Sequence, residues 1–430
     1  MESISGSSDS PPKPRPPAAP ARRFWGNVGL TLLANLVIGA TGVATGLLAA
    51  HLLGPQGRGE LAAIQSWPFL IAQLAMVGMP EAIVYFSSRS PGRAGSYLGS
   101  GILVIGISGA VFGVTGWWLM PRLLHAHSPI VIGAARFSLS LIVIYALVGA
   151  PHQVLRSLDA WRAWNLFRLL PGCTWLTTLA GVALFARGTS AVALSQLFLL
   201  GQALLAVPIL CVVRRHVSGP CRPRPNDARA LLRYGLPTVL SALPNTLNLR
   251  LDQLIMATFL DARNLGYYVV AVTWSGLASP VIGAIGPVLF PSLGAMPEPR
   301  EQHRTLARIL PRLASVIALL TLALFVATPV AIPLLYGADF RPASAPALVL
   351  VLGSAFSGFN LTLQAGLQGL GRPRDVLMAE LSGLTVTVPA LALLLPAYGI
   401  MGAAVASLAA YSVTTTVLLL RLINHNINNI

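Results

Sequence analysis

Arg250 and Asp252 stand two residues apart inside the run LNLRLDQLIMATFL, residues 247 to 260. The remainder of that run is apolar enough to cross a bilayer, and a charge at bilayer depth costs roughly 2.5–3.5 kcal/mol on insertion scales. A guanidinium is planar, always charged and able to hold two oxyanion oxygens at once. A carboxylate at the same depth can pair with a cation or titrate. Positions two apart on a helix point about 200° apart, so Asp252 is not the natural partner of Arg250 and each must meet a different neighbour. Ionisable groups inside spans normally face a bundle interior or a water-filled cavity. Arg136, Glu81 and Glu380 also fall within apolar runs, and Arg58 lies in the turn GPQGRGE.

The elements that must position these groups are membrane helices. Of the 430 residues 55% are hydrophobic and 10% charged, with mean hydropathy +0.71, against about 25% charged in a soluble domain. A spanning helix needs about 20 mostly apolar residues. Runs of that kind recur without the alternation of a barrel strand. They predict twelve helices, near 27–53, 60–86, 96–120, 129–152, 163–186, 189–213, 231–260, 264–293, 307–335, 342–370, 375–396 and 399–422. Several exceed the bilayer thickness and must tilt, kink or protrude.

Residues 1–26, rich in Ser and Pro, form a disordered tail. The first apolar run is too long for a cleavable signal. Residues 27–213 make one six-helix lobe and residues 231–422 a second. The Pro/Arg segment 214–230 links them, and residues 423–430 are a C-terminal tail.

The net charge is +16, almost all of the basic residues being Arg. Nucleic-acid binding is the first idea for such a chain, but these residues flank helices on one side. That side holds Arg22, Arg23, Arg89, Arg93, Arg156, Arg168, Arg214, Arg215, Arg304, Arg308, Arg372 and Arg421, among others. The opposite side holds Arg58, Arg122, Arg187, Arg263 and Arg341. The bias places both termini in the cytoplasm. Cys173, Cys211 and Cys221 give neither a disulfide framework nor metal spacing. His125 and His127 form an HxH in a short loop with no further ligands nearby, so neither metal nor cofactor is expected.

The halves align without gaps at an offset of 207 residues. Gly59 falls on Gly266, Trp67 on Trp274 and Pro80 on Pro287. Six helices apart means the same orientation in the membrane, so the lobes are parallel repeats about an axis along the membrane normal, with a substrate path between them. At this offset Val43 falls on Arg250 and Thr45 on Asp252, so only the second half carries these charges.

The hairpin ARRFWGNVGLTLLANLVIGATGVATGLLAAHLLGPQGRGELAAI, the stretch YGLPTVLSALPNTLNLRLDQLIMATFLDARNLGYYVVAV and the stretch LLYGADFRPASAPALVLVLGSAFSGFNLTLQAGLQGLGRP resemble one family. It is the polysaccharide-precursor flippases of the multidrug/oligosaccharidyl-lipid/polysaccharide exporter superfamily. The resemblance spans residues 24 to 422. It implies two six-helix lobes in a V around a hydrated central cavity in the bacterial inner membrane. The implied activity moves an undecaprenyl-pyrophosphate-linked oligosaccharide from the cytoplasmic to the periplasmic leaflet. Implied partners are that lipid-linked substrate, membrane lipids, a polysaccharide polymerase and a chain-length regulator.

With that frame, Arg250 reads either as a cavity arginine that contacts the anionic head group or as half of a structural ion pair. It lies about ten residues, or roughly 15 Å, from the outer end of its span, too deep for snorkelling. Asp252 either couples transport to an ion or fixes helix packing. Arg136 either lines the cavity or snorkels. Glu81 and Glu380 read as interfacial carboxylates or as coupling sites, and Arg58 as a phosphate contact at the periplasmic mouth or a solvated loop arginine. Pro237, Pro244, Pro80, Pro280, Pro287 and Pro291 mark bends suited to a gate, or prolines that membrane helices tolerate in any case.

Two other classes compete. A multidrug/cation antiporter of the same superfamily would favour carboxylates in the pocket, whereas the deep charge here is an arginine. A membrane enzyme acting on lipid-linked sugars would need a catalytic loop, and the outer loops are short.

Overall fold

Apolar runs of this length can satisfy their backbone in lipid only as helices or closed barrels. In the computed structural model the described residues, 21–186, 188–283, 289, 293, 296 and 299–428, contain helices and no strand. Residues 1–20, Arg187, Pro287 and Pro291 lie outside the described residues.

Helix α1, Ala21–Ala75, doubles back at Gly54, where φ is 63°, a conformation that only glycine adopts cheaply. Ala49 and Leu61 therefore share one buried cluster, although twelve residues of straight helix would hold them about 18 Å apart. Helix α2, Met79–Arg89, follows a break at Val77 and Gly78, both at positive φ. Pro80 stands in its first turn, where no N–H is needed. After α3, Ala94–Leu123, the chain runs through four short pieces. They are α4 Pro129–Ser138, capped by the Ser128 hydroxyl, α5 Leu141–Ile144, a π-turn Tyr145–Gly149, and α6 Ala150–Ser157. The sequence had suggested one unbroken span there. Helices α7 Trp161–Phe185, α8 Ala191–Leu204 and α9 Ala206–His216 follow. Pro208 leaves the Leu204 carbonyl without its helical donor, and the chain breaks at Leu205.

The second half begins with α10, Pro225–Asn248, and α11, Leu251–Phe259. The helix passes through Pro237 and Pro244 and breaks instead at Leu249 and Arg250. Next come α12 Ala262–Ser275, α13 Ser279–Gly283, α14 Pro299–Tyr336, α15 Ser344–Gly369 and α16 Pro373–Asn428. Helix α16 turns back at Gly399. A Cβ on Gly402 would lie 2.0 Å from the Leu394 carbonyl oxygen, and these residues would be about 12 Å apart on a straight helix.

Eight segments of the described residues are long and apolar enough to cross a membrane, the doubled runs 29–89 and 373–424 among them. Their outer faces are apolar: Leu322, Val326, Val330 and Leu334 form an exposed stripe at every fourth residue of α14. Such a stripe suits lipid, not water. The protein is an all-α, multi-pass membrane protein.

The segment between α9 and α10 is shorter than the sequence suggested and is fastened to α3. The Gly95 N–H donates to the Ser218 carbonyl (3.1 Å). The Ser96 hydroxyl donates to Asp227 (2.6 Å), and Asp227 also pairs with Arg93 (2.6 Å).

The aligned glycines of the repeat meet in space. A Cβ on Gly59 would strike the Ala262 carbonyl oxygen at 1.6 Å, and one on Gly266 would strike that of Pro55 at 2.0 Å. Pro55 and Ala262 are themselves aligned at the same offset, so the contact is two-fold symmetric. At the other end of the bundle Gly78 packs on Gly235, a Cβ on Gly78 falling 2.2 Å from the Gly235 carbonyl oxygen. Tyr85 stacks on Tyr234 beside them, 4.3 Å between centroids. The halves thus touch at both ends and leave space between.

Candidate functional site: a cavity between the halves

That space is a cavity of about 420 Å³ between α1, α2 and α6 on one side and α10 on the other. Phe69, Gln73, Tyr145 and His152 line it from the first half, Thr238 and Thr246 from the second. Tyr145 sits in the π-turn, an irregularity often found at functional sites.

Arg250 stands at the edge of this cavity. Its guanidinium lies 4.7 Å from the Phe69 ring centroid, and that ring meets Tyr145 edge-on at 6.0 Å. The residue is not inside a continuous helix. It occupies the turn between α10 and α11 with φ −135° and ψ −12°, its N–H reaching only the Leu247 carbonyl (3.0 Å). The side chain is exposed, and among the described residues it has no ion pair. The charge is carried at a helix break beside open space.

Asp252 points the other way and is buried, 4% exposed. The Tyr268 hydroxyl donates to it at 2.5 Å and Ser407 at 3.2 Å. The break at Arg250 also makes Asp252 a first-turn residue of α11, where its carboxylate accepts the Gln253 N–H (2.7 Å) and complements the helix dipole. Glu380, on α16, is equally buried. It accepts from Asn245 (3.1 Å), Asn248 (2.8 Å) and Gln364 (2.5 Å). Tyr411 stands between the two acids, its hydroxyl donating to the Asn248 carbonyl (3.4 Å). Among the described residues neither acid has a cationic partner.

The remaining candidates lie elsewhere. Glu81 is exposed in the first turn of α2 and lines the cavity at its Arg-rich end. Arg136 donates through Nε to the Trp117 carbonyl (3.1 Å), with its guanidinium 4.9 Å from the Trp117 ring centroid. Pro121 has no N–H to give that carbonyl, so Arg136 supplies the missing donor. Arg58 is half-buried in the returning limb of α1 with Nε unpartnered. The structure does not bring Arg58 or Arg136 to Arg250.

His125 and His127 go to different partners. His125 Nδ1 donates to the Arg122 carbonyl (3.1 Å), whereas His127 Nε2 donates to the Ala257 carbonyl (2.9 Å). Desolvation pushes the His127 imidazole below its usual range, against smaller opposing effects from the Ala257 bond, Glu60 and Asp261.

Asn245, Asn248 and Gln364 were not among the sequence candidates. A signal for two of them existed: Asn245, Asn248 and Asp252 recur at i, i+3 and i+7, one face of a helix. Phe69, Tyr145 and His152 carried no such signal, because nothing in their own segments says which helix they face.

Residues 140–345 match a family model described as polysaccharide biosynthesis protein. No curated protein matches the chain. Among solved structures it is similar to the lipid II flippase MurJ in an inward closed conformation (TM-score 0.72, 14% identity, 91% of this chain and 87% of that one). It is similar to a multidrug resistance MATE family transporter in an inward-facing conformation (TM-score 0.72, 16% identity, 91% and 98%). A third likeness is to a transporter from Pyrococcus furiosus described by the reverse polarity of its binding pocket (TM-score 0.61, 17% identity, 93% and 95%). The chain has the fold of the multidrug/oligosaccharidyl-lipid/polysaccharide exporter superfamily, with a polysaccharide-biosynthesis match across its middle.

Proposed function

We propose that the protein is a flippase that carries undecaprenyl-pyrophosphate-linked oligosaccharide from the cytoplasmic to the periplasmic leaflet of a bacterial inner membrane. In this reading the chain crosses twelve times, as two six-helix lobes with both termini in the cytoplasm. One observation carries it: an unpaired guanidinium, at a helix break, beside a cavity between the halves. Arg250 holds the pyrophosphate, and its planar fork suits phosphate oxygens. The polysaccharide-biosynthesis match supports the substrate class. Asp252 and Glu380, buried among neutral donors, supply the charge that couples transport to an ion.

Arg250→Ala should insert and fold yet abolish polymer export, measured as surface polysaccharide in a complemented strain. Arg250→Lys should recover part of it, because a point charge lacks the fork. Wild-type export from a well-expressed Arg250→Ala variant would defeat the reading.

A cation antiporter is the second reading, favoured by Glu81 on the cavity wall. It predicts that expression confers resistance to cationic dyes and that Glu81→Gln removes it.

A further inference from the structure

The cavity beside Arg250 continues toward the Arg-rich side of the bundle. A second cavity of about 340 Å³ adjoins it, and the two share Pro80, Glu81 and Gln153 as walls. Arg156, Trp164 and Arg168 line the second one. Both guanidiniums are held over the same indole: that of Arg168 lies 4.6 Å and that of Arg156 5.8 Å from the Trp164 ring centroid. His152, which lines the first cavity, lies parallel to that indole at 6.3 Å.

The arrangement suits an anion. Two like charges near one ring repel; Arg168 is half-buried, where that repulsion is less screened, while Arg156 is exposed and free to meet a ligand. Arg168 is fixed by Asn35 (2.6 Å) and Asn165 (3.3 Å), neutral acceptors that leave its charge uncompensated. Among the described residues Arg156 has neither a hydrogen bond nor an ion pair. Glu81 is the one carboxylate on the walls of this cavity, and it lies beyond ion-pair distance of both arginines. His152, Gln153 and Arg156 follow one another along α6, so one helix carries the wall of both cavities.

We propose that Arg156 and Arg168, braced on Trp164, form a second anion site that binds a diphosphate at the Arg-rich mouth of the central cavity. The site is a loading station: the diphosphate is taken first here and then passed inward to Arg250. This rests on the flippase reading for its ligand, but the site itself rests on the paired guanidiniums.

Binding of inorganic pyrophosphate and of farnesyl pyrophosphate to the purified full chain in lipid nanodiscs tests it. Arg156 is the residue to change, because beyond the Trp164 face it has no hydrogen bond or ion pair among the described residues. Arg156→Gln should weaken binding of both ligands about tenfold or more, and Arg156→Lys less. Tighter binding of the prenylated ligand assigns the site to a lipid head group; equal binding assigns it to a soluble diphosphate. Arg250→Gln, measured in parallel, separates the two ideas. Unchanged binding to Arg156→Gln together with weakened binding to Arg250→Gln overturns the loading station and leaves the flippase reading standing. Weakened binding to both variants supports the station; weakened binding to Arg156→Gln alone keeps the anion site but overturns its role in passing the diphosphate to Arg250. A wild-type protein that binds neither ligand overturns both.

Discussion

At the 207-residue offset Thr41, Val43 and Thr45 of α1 align with Asn248, Arg250 and Asp252 at the junction of α10 and α11. The first set is self-contained. Thr41 donates to the Val37 carbonyl and Thr45 to that of Gly42 (2.9 Å), within their own helix. The second set reaches outward: Asn248 to Glu380, Arg250 to the face of Phe69, Asp252 to Tyr268 and Ser407. Thr41, Thr45, Asn248 and Asp252 are all buried, so burial does not distinguish the halves. What differs is chemistry. In the first half the polar groups of this helix face close on the backbone, which requires an unbroken helix. In the second, Asp252 takes donors from other helices, and the helix breaks at the cation.

The largest effect should come from removing the acid on which three amides converge. Glu380→Leu leaves the half-buried Asn245 and Gln364 without this acceptor, at about 1–3 kcal/mol each, and leaves buried Asn248 with only the Glu380 backbone carbonyl (2.9 Å). The sum is a large share of the whole stability of many domains, about 5–15 kcal/mol. The variant should fail to accumulate in membranes. Glu380→Gln keeps an oxygen acceptor and removes only the charge. It should accumulate but lose ion-dependent export, read as substrate movement into proteoliposomes with and without an ion gradient. Full gradient-dependent activity in Glu380→Gln would leave the acid a packing role only.

A smaller effect is expected from making the second half resemble the first at one position. Asp252→Thr places there the residue that the first half carries. Tyr268 and Ser407 lose a charged acceptor, but a threonine hydroxyl can still bond within the helix, as Thr45 does. The expected loss is about 1–3 kcal/mol, read as a fall in thermal unfolding temperature in detergent, with the protein still present in the membrane. An undiminished unfolding temperature would mean that the tyrosine and serine find other partners and that the asymmetry does not matter for stability.

How much of this was legible from sequence depends on where the determining contact lies. The class of element was, because a bilayer demands long apolar runs whatever their neighbours, although eight long apolar segments stand among the described residues where twelve spans were expected. Helical geometry set Arg250 and Asp252 on different neighbours; the structure separates them too, but through a break at Arg250 that this geometry did not include. The break at Val77 and Gly78 was not legible, because the chain turns where Gly78 meets Gly235 of the other half; nor was the π-turn at Tyr145 within the fourth segment. Prolines left two readings open, hinge or tolerated residue. Helix α10 runs past Pro237 and Pro244 and breaks at Leu249 and Arg250 instead, beside the cavity. From its depth Arg136 either lined the cavity or snorkelled, and only the structure shows that it serves the carbonyl left open by Pro121.

The halves are equivalent at Gly59 and Gly266, and substitution there should behave equivalently. Gly59→Ala and Gly266→Ala each drive a Cβ into backbone of the other half, so neither can be relieved by a rotamer change. Either should open the same end of the bundle, measured as increased labelling of a cysteine placed at Ala262 or Pro55. Because both open one contact, the double variant should exceed either single by little, a non-additivity expected only of residues in direct contact. Additive labelling would mean that the two glycines act at separate places.

The smallest effect concerns His127, which joins the loop after α3 to the Ala257 carbonyl of α11 and so ties the first half to the second near the Gly59 contact. Its imidazole is held below its usual range, chiefly by desolvation, and the nearby Glu60 and Asp261 reduce the shift while His125 adds to it. A histidine whose pKa is lower folded than unfolded takes up protons more readily when the protein unfolds. Stability therefore rises with pH through that window and is lost as pH falls below the ordinary value of about 6.5. The wild type should lose a little stability between pH 7 and pH 5 that His127→Gln does not lose, since a neutral amide keeps the bond to Ala257 without titrating. The difference of the two unfolding curves isolates this one group from the carboxylates that titrate alongside it. Parallel curves over that range would show that the tie between the halves does not depend on the charge of His127.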